Sequence, residues 1–352
     1  MTQDVYARLA DALNRLPNGF PRTASGVELK ILKKIFSPEE AELAGQLTGS
    51  LESLDEIAAR AELSVEETRD RLFKMVRRGM VWLDKVDGRT LFRLAPFVVG
   101  VYEASLELMD HELAHLIEDY FASDGASIIM GAQPALHRVI PAQNTVKSEQ
   151  ILPYEDVRAI LLEAKTYNVR ACICREQQDQ LGSRRCEFPL EMCINFSSQE
   201  RPPRPGDLTQ VDALALLDRS EEVGLVHTVN NVIEGVGYIC NCCGCCCGIM
   251  RGITEWGIEN SVAFSNYYAV IDSVLCNNCG TCLDRCQVHA ISKGDGFSAV
   301  DKARCIGCGL CVTGCPNDVA RLERKTEAEI IHPPINFAAW EHERLHYRGL
   351  IS

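Results

Sequence analysis

Eighteen cysteines in a chain of 352 residues are the side chains most able to do chemistry here. None precedes Cys172, and they fall into three groups. The first is Cys172, Cys174, Cys186 and Cys193. The second packs Cys240, Cys242, Cys243, Cys245, Cys246 and Cys247 into one short run. The third repeats a single spacing, C-x2-C-x2-C-x3-C, first at Cys276, Cys279, Cys282 and Cys286, then at Cys305, Cys308, Cys311 and Cys315. In a chain without an export signal, thiols stay reduced and are expected to ligate metal rather than to form disulfides. The tight repeated spacing can wrap one loop around a metal cluster corner by corner. Glycines at 280, 307 and 309 let backbone N–H groups approach the sulfurs, and such hydrogen bonds tune redox potential. A zinc-ribbon-like site is the alternative for this run, although zinc sites rarely use two interleaved x2-x2-x3 runs.

From Ala269 to Leu322 the residues resemble bacterial two-cluster ferredoxins, with Pro316 after the last cysteine of the second run. The resemblance implies two 4Fe-4S clusters in which the fourth cysteine of each run serves the other cluster. One cluster would take Cys276, Cys279, Cys282 and Cys315, the other Cys305, Cys308, Cys311 and Cys286. Gln287 departs from the pattern by standing where the first run usually has proline. This removes no ligand but loosens the turn beside Cys286.

Eighteen less these eight leaves ten cysteines. Cys172, Cys174, Cys186 and Cys193 offer four thiolates, enough for a tetrahedral zinc site or for a cluster. In the run Cys240 to Cys247, adjacent side chains diverge, so neighbours are expected to face different metal centres or to act as supporting thiols. Vicinal disulfides are a strained alternative. At least one additional iron–sulfur cluster, or zinc, is expected among the ten. Arg175, Arg184 and Arg185 can bind an anionic substrate or offset the negative charge of thiolate-held metal. His227, Asn230 and Asn231 can donate to ligands or simply make a turn.

The elements that must hold these residues read as α+β. Residues 25–95 suggest short helices and a hairpin: Ser37 and Ser64 as N-caps, Pro38 in a first turn, Asp87-Gly88 turning two strands. This segment resembles winged-helix domains, which would put Arg69, Arg71, Lys74, Arg77 and Arg78 on a DNA-reading helix. Nine Lys or Arg against six Asp or Glu from Arg60 to Arg93 is only mildly basic for that task. Residues 97–123 suggest one amphipathic linker helix, with H-E-x-x-H at His111–His115; no third zinc ligand accompanies it, and a solvated helix face explains it as well. Residues 131–170 look mixed, with a helix from Tyr154 to Tyr167. Another helix is expected from Leu208 to a Gly224 cap, followed by a strand from Leu225. The tail from Ile335 is expected to pack on the ferredoxin part or on another subunit.

The expected organisation is therefore a winged-helix-like domain over 1–96, a linker helix and mixed cysteine-rich domain over 97–264, a ferredoxin-like dicluster domain over 265–325 and a tail over 326–352. In that order the blocks resemble 4Fe-4S dicluster proteins of anaerobic bacteria and archaea. The net charge of −13 disfavours nucleic acid as the main partner and suits docking to redox proteins. No run nears the roughly 18–20 apolar residues of a membrane span, so a cytoplasmic chain is expected. GxGxxG and Walker patterns do not appear, so nicotinamide or flavin chemistry would belong to a partner. These features imply an electron-transfer protein or the electron-delivering subunit of an oxidoreductase. The alternatives are a redox-sensing winged-helix regulator and a metalloenzyme with an open coordination position in the Cys172–Cys247 region.

Overall fold

The computed structural model describes residues 4–143, 145–146 and 151–352. Residues 144 and 147–150, within the stretch read as mixed, lie outside them. Helices and strands are both well represented and the named ladders are antiparallel, as α+β requires. The chain divides into two compact units: Met1–Ala132 with Glu176–Ser183 and Glu341–Ser352, and Gln133–Arg175 with Arg184–Trp340. Among the described residues no helix is long and apolar enough to cross a membrane.

The first unit opens with α1 (Val5–Asn14), α2 (Val27–Ile35) and α3 (Pro38–Ala44). A reciprocal capping box starts α3: Ser37 Oγ accepts from Glu40 N–H while the Glu40 carboxylate accepts from Ser37 N–H. Then follow β1 (Glu52–Ser53), α4 (Leu54–Ala61), α5 (Val65–Arg77), β2 (Val81–Val86) and β3 (Arg89–Leu94). Ser64 caps α5, and Asp87-Gly88, both at positive φ, turn β2 into β3. β1 adds to β3, giving three strands beside two helices whose apolar faces bury Ile57, Leu72 and Met75.

The stretch 97–123 is not the single helix that its apolar spacing suggests. Val98, Val99 and Gly100 have non-helical backbone, and Leu106–Leu108 is only a 3-10 turn. A regular helix, α6 (His111–Tyr120), begins where Asp110 Oδ1 accepts from Leu113 N–H at 2.8 Å. Ser123 interrupts again before α7 (Ala126–Gly131). Asp110 offers the backbone a cap that competes with continuing the helix. Burial supplies the rest: Phe97 and Tyr120 both pack on Phe20, with ring centroids 4.5 and 5.0 Å away. The tail also departs from expectation. Arg344 is fully buried and donates to the carbonyls of Pro17, Ala132 and Ile129, so the C-terminal residues complete the N-terminal unit.

The second unit is built on a six-stranded sheet of β4 (His137–Val139), β5 (Thr166–Ala171), β6 (Glu191–Ser197), β7 (Asp207–Leu208), β8 (Val226–Asn230) and β9 (Tyr238–Cys242), in the order β4-β8-β9-β6-β5-β7. The helix expected through Tyr167 stops at Leu162 as α8 (Val157–Leu162), and Thr166 and Tyr167 already belong to β5. The short α9 (Ile173–Gln180) follows β5, its residues from Glu176 onward belonging to the first unit, and α10 (Gln210–Val223) ends at left-handed Gly224 as its sequence implies. The core gathers Val157, Leu161, Tyr167, Ile194, Ala213, Leu217, Val229 and Ile239. Side chains alternate along a strand, so with Ile194 and Ile239 turned to this core, Cys193, Cys240 and Cys242 occupy the opposite face. After β9 come α11 (Gly248–Thr254), β10 (Tyr267–Ile271), α12 (Thr281–Asp284), β11 (Ile291–Lys293), β12 (Ser298–Val300), α13 (Leu310–Thr313) and β13 (Ala320–Arg324). β10 pairs with β13 from Tyr267↔Arg324 to Ile271↔Ala320, closing the C-terminal segment on itself.

Candidate metal centres

The two repeated cysteine runs fold alike. In each, a left-handed glycine, Gly280 or Gly309, starts a one-turn helix that carries the third cysteine, Cys282 or Cys311. At Gly309 a side chain would collide with Thr145, so both φ and space demand glycine. One cavity is lined by Cys276, Cys279 and Cys282 of the first run and by Cys315 of the second, with Ile271, Pro316 and Val319. Around Cys311, whose thiol is pushed up by burial, the neighbouring thiols are Cys308, Cys305 and Cys286, with Cys282 of the first run exerting the weakest influence. Backbone N–H groups point at the sulfurs: Ala290 to Cys286 at 3.1 Å, Ala269 to Cys305 and Asn278 to Cys276 at 3.4 Å. Such donors stabilise negative charge on sulfur. Cys279 is exposed whereas Cys305 and Cys311 are buried, so the two groups differ in access to water.

Gln287, read as a mere loosening of a turn, has a definite place. Its Oε1 accepts from Gly244 N–H at 2.9 Å and its Nε2 donates to the Gly224 carbonyl at 3.0 Å. A side chain at 244 would run into the Gln287 backbone. Arg285, two residues earlier, donates to the carbonyls of Glu221, Glu222 and Leu310. The first two are carbonyls of the last turn of α10, where a cation is favoured; that of Glu221 also accepts from Gly224 N–H. Residues 285–287 thereby join the first ferredoxin run to the 240–247 run.

The ten remaining cysteines regroup across the first two sequence clusters. Cys186, Cys243, Cys245 and Cys246 bring their Sγ atoms within 4.8 Å of one another, the one such group of ligand atoms among the described residues. Cys186 lies 4.0 Å from Cys243 and 3.6 Å from Cys246, and Cys245 lies 3.6 Å from Cys246. Four thiolates about 2.3 Å from a tetrahedral ion stand about 3.8 Å apart, so the donor set fits a single metal ion. Met192, Leu225 and Phe188 pack around it. Hydrogen bonding from Cys243 lowers the Cys245 thiol to about 4, and bonding from Cys186 lowers Cys243 to about 7, while Cys186 itself rises to about 12.

The other six form a closed circuit of thiol–thiol contacts. Cys172 meets Cys174 and Cys193; Cys193 meets Cys240; Cys240 meets Cys242; Cys242 meets Cys247; and Cys247 returns to Cys174. The sheet explains part of this. Residues 193 and 240 extend the β6–β9 register Ile194↔Ile239, and Cys240 and Cys242 share a strand face. Thr228 Oγ1 lies 3.5 Å from Cys242 Sγ and 3.2 Å from His137 Nδ1, and His137 Nε2 is 2.8 Å from the Tyr238 hydroxyl. Burial drives the His137 pKa down to about 3, so the ring is neutral; in the tautomer with its proton on Nδ1 it accepts from Tyr238 and donates to Thr228, which leaves the Thr228 O–H for sulfur.

Arg175 is fully buried. It donates to the carbonyls of Pro189 at 2.8 Å and Asn241 at 2.6 Å, its Nε lacks a hydrogen-bond partner, and the charges it feels most are the thiols of Cys172, Cys243 and Cys193. Arg184 donates to the Phe188 carbonyl and Arg185 pairs with Glu255, so both serve the loop around Cys186. His227 sits between Asn241 and Glu221, Asn230 accepts from Gly237 N–H, and Asn231 N–H donates to Leu136; these are structural bonds and involve no thiol. Of the H-E-x-x-H residues, His111 bonds the Gln180 carbonyl and Glu112 pairs with Lys34, and no third ligand atom joins His111 and His115 among the described residues.

A family model described as a 4Fe-4S dicluster domain matches residues 268–316. The chain therefore contains a ferredoxin-type iron–sulfur domain that binds 4Fe-4S clusters. Comparison with curated proteins returns no match.

Proposed function

We propose that this protein is an iron–sulfur electron-transfer protein, or the electron-delivering subunit of an oxidoreductase, that works with redox partner proteins in the cytoplasm. Cys276, Cys279, Cys282 and Cys315 would hold one 4Fe-4S cluster, and Cys305, Cys308, Cys311 and Cys286 the other. The observation that carries this assignment is the cavity that gathers three thiols of the first run with the fourth of the second. When bound, the clusters supply reversible one-electron chemistry at potentials set by charge, hydrogen bonding and exposure. The chain's own part is to aim N–H groups at sulfur, to bury one group of thiols and to leave Cys279 at the surface, where a partner can approach. The group of Cys186, Cys243, Cys245 and Cys246 would take one further ion, zinc or iron. Gln287, next to Cys286, bonds the loop of that group at Gly244 N–H.

The regulator reading has less support. Arg71 and Arg78, two of the five cations it needs, pair with Glu67 and Glu40, and α5 also carries Glu66 and Asp70. Anaerobic protein titrated with dithionite and followed by electron paramagnetic resonance tests the proposal. It predicts two reducible centres, one whose signal is lost in Cys282→Ser and the other in Cys311→Ser, and transfer of the electrons to a soluble ferredoxin-type acceptor. Centres that bind but never change oxidation state between about −700 and +450 mV would overturn it.

A further inference from the structure

We infer that Cys172, Cys174, Cys193, Cys240, Cys242 and Cys247 form the wall of one polynuclear iron–sulfur cluster, a centre additional to the two of the ferredoxin domain and to the single-ion group. The inference deepens the iron–sulfur reading above and relies on it for the class of cofactor the chain handles.

Spacing is the first ground. The six thiols neighbour one another in sequence around a closed circuit drawn from three chain segments, yet no three of them lie mutually within 4.8 Å. One tetrahedral ion draws its thiolates to about 3.8 Å from one another, and two zinc ions sharing six thiolates would gather them in fours in the same way. Thiols that meet only their neighbours instead surround something wider than an ion. The eight ferredoxin cysteines share this last trait, since none of them enters a group gathered within that distance, although their thiols stand further from one another than the ring thiols do. Their 4Fe-4S chemistry is shown by the family match.

Charge is the second ground. Arg175 is fully buried, and its partners are the carbonyls of Pro189 and Asn241 and the Cys243 thiol, not carboxylates. A buried cation needs a buried anion. The groups that face it are Cys172 and Cys193 of the ring and Cys243 of the single-ion group, so the ring supplies two of the three sulfurs that balance this charge, as thiolates around iron do and neutral thiols do not. Thr228 adds the third ground, a hydroxyl set against Cys242 by the neutral His137, of the kind that tunes sulfur ligands.

Native mass spectrometry of anaerobically purified full-length protein, with iron, zinc and sulfide determinations, tests this without any variant. The expected count is about twelve or more irons with matching sulfide, where the two ferredoxin clusters alone give about eight. In Cys193→Ser/Cys240→Ser the surplus iron and sulfide should disappear while the ferredoxin resonances persist, which also reports that the variant is folded. Cys186→Ser/Cys245→Ser should keep the surplus and lose one ion. About eight irons in wild type, with the six ring thiols alkylated by iodoacetamide, joined as disulfides or holding zinc, would overturn the inference and leave the ferredoxin reading standing. Surplus iron that survives Cys193→Ser/Cys240→Ser would overturn it too. Iron and sulfide lost with the ring variant, but no ferredoxin resonances in any sample, would uphold the ring cluster and sink the ferredoxin assignment instead.

Discussion

Arg175, His137 and Gln287 each place a specific physical demand on their surroundings. Removing the positive charge of Arg175 disfavours the more negative, reduced state of any centre held by Cys172 and Cys193. In Arg175→Gln we expect the midpoint potential of that centre to fall by on the order of 60 mV, a factor of ten in its reduction equilibrium, by potentiometric titration. An unchanged potential would detach Arg175 from the ring. His137 stays neutral to about pH 3, whereas in the unfolded chain it takes up a proton near pH 6.5. Its contribution to stability is complete above about pH 6.5 and is lost as pH falls toward 3, with a slope of up to about 1.4 kcal/mol per pH unit. Urea unfolding of wild type should weaken between pH 7 and 5.5, and His137→Gln should flatten that slope; equal slopes would contradict the burial argument.

At the scale of elements, residues 285–287 clamp the first ferredoxin run to the end of α10 and to the loop after β9. Gln287→Leu leaves the Gly244 N–H and the Gly224 carbonyl without partners, at a cost of about 1–3 kcal/mol. A lower melting temperature with unchanged iron content is the expected result, and loss of iron in proportion would assign Gln287 a role in ligation instead. This residue was visible in the sequence only as a departure from proline. Its two acceptor and donor partners lie 43 and 63 positions away, beyond the reach of any local pattern. The stretch 97–123 failed for a related reason. Its apolar residues do keep helical spacing, but Asp110 caps a new helix and the ring of Phe20 draws Phe97 and Tyr120 into one cluster. Where the capping chemistry was local, as at Ser37, Ser64 and Gly224, reading it from the sequence was sound.

For the whole molecule, the division into two units assigns all eighteen cysteines to the second and the residues from Glu341 onward, which include most of the last helix (Phe337–Tyr347), to the first. Arg344 holds three carbonyls of the first unit with its side chain wholly buried. Arg344→Leu should therefore destabilise that unit by roughly 3 kcal/mol or more while the ferredoxin resonances of the second persist. Differential scanning calorimetry combined with electron paramagnetic resonance separates the two, and simultaneous loss of both would refute the independence. What the sequence by itself determined is the ferredoxin domain, because all eight of its cysteines sit in two local runs whose spacing is their geometry. It also placed every cysteine after residue 171. Only the tertiary structure decided how the other ten divide. Strand alternation puts Cys240 and Cys242 on one face, the chain turns at the end of β9 to carry Cys243 elsewhere, and sheet order brings Cys193 beside Cys240 while Cys186 joins the later thiols. Pairings between distant strands are set by packing of the whole sheet, and no spacing along the chain encodes them.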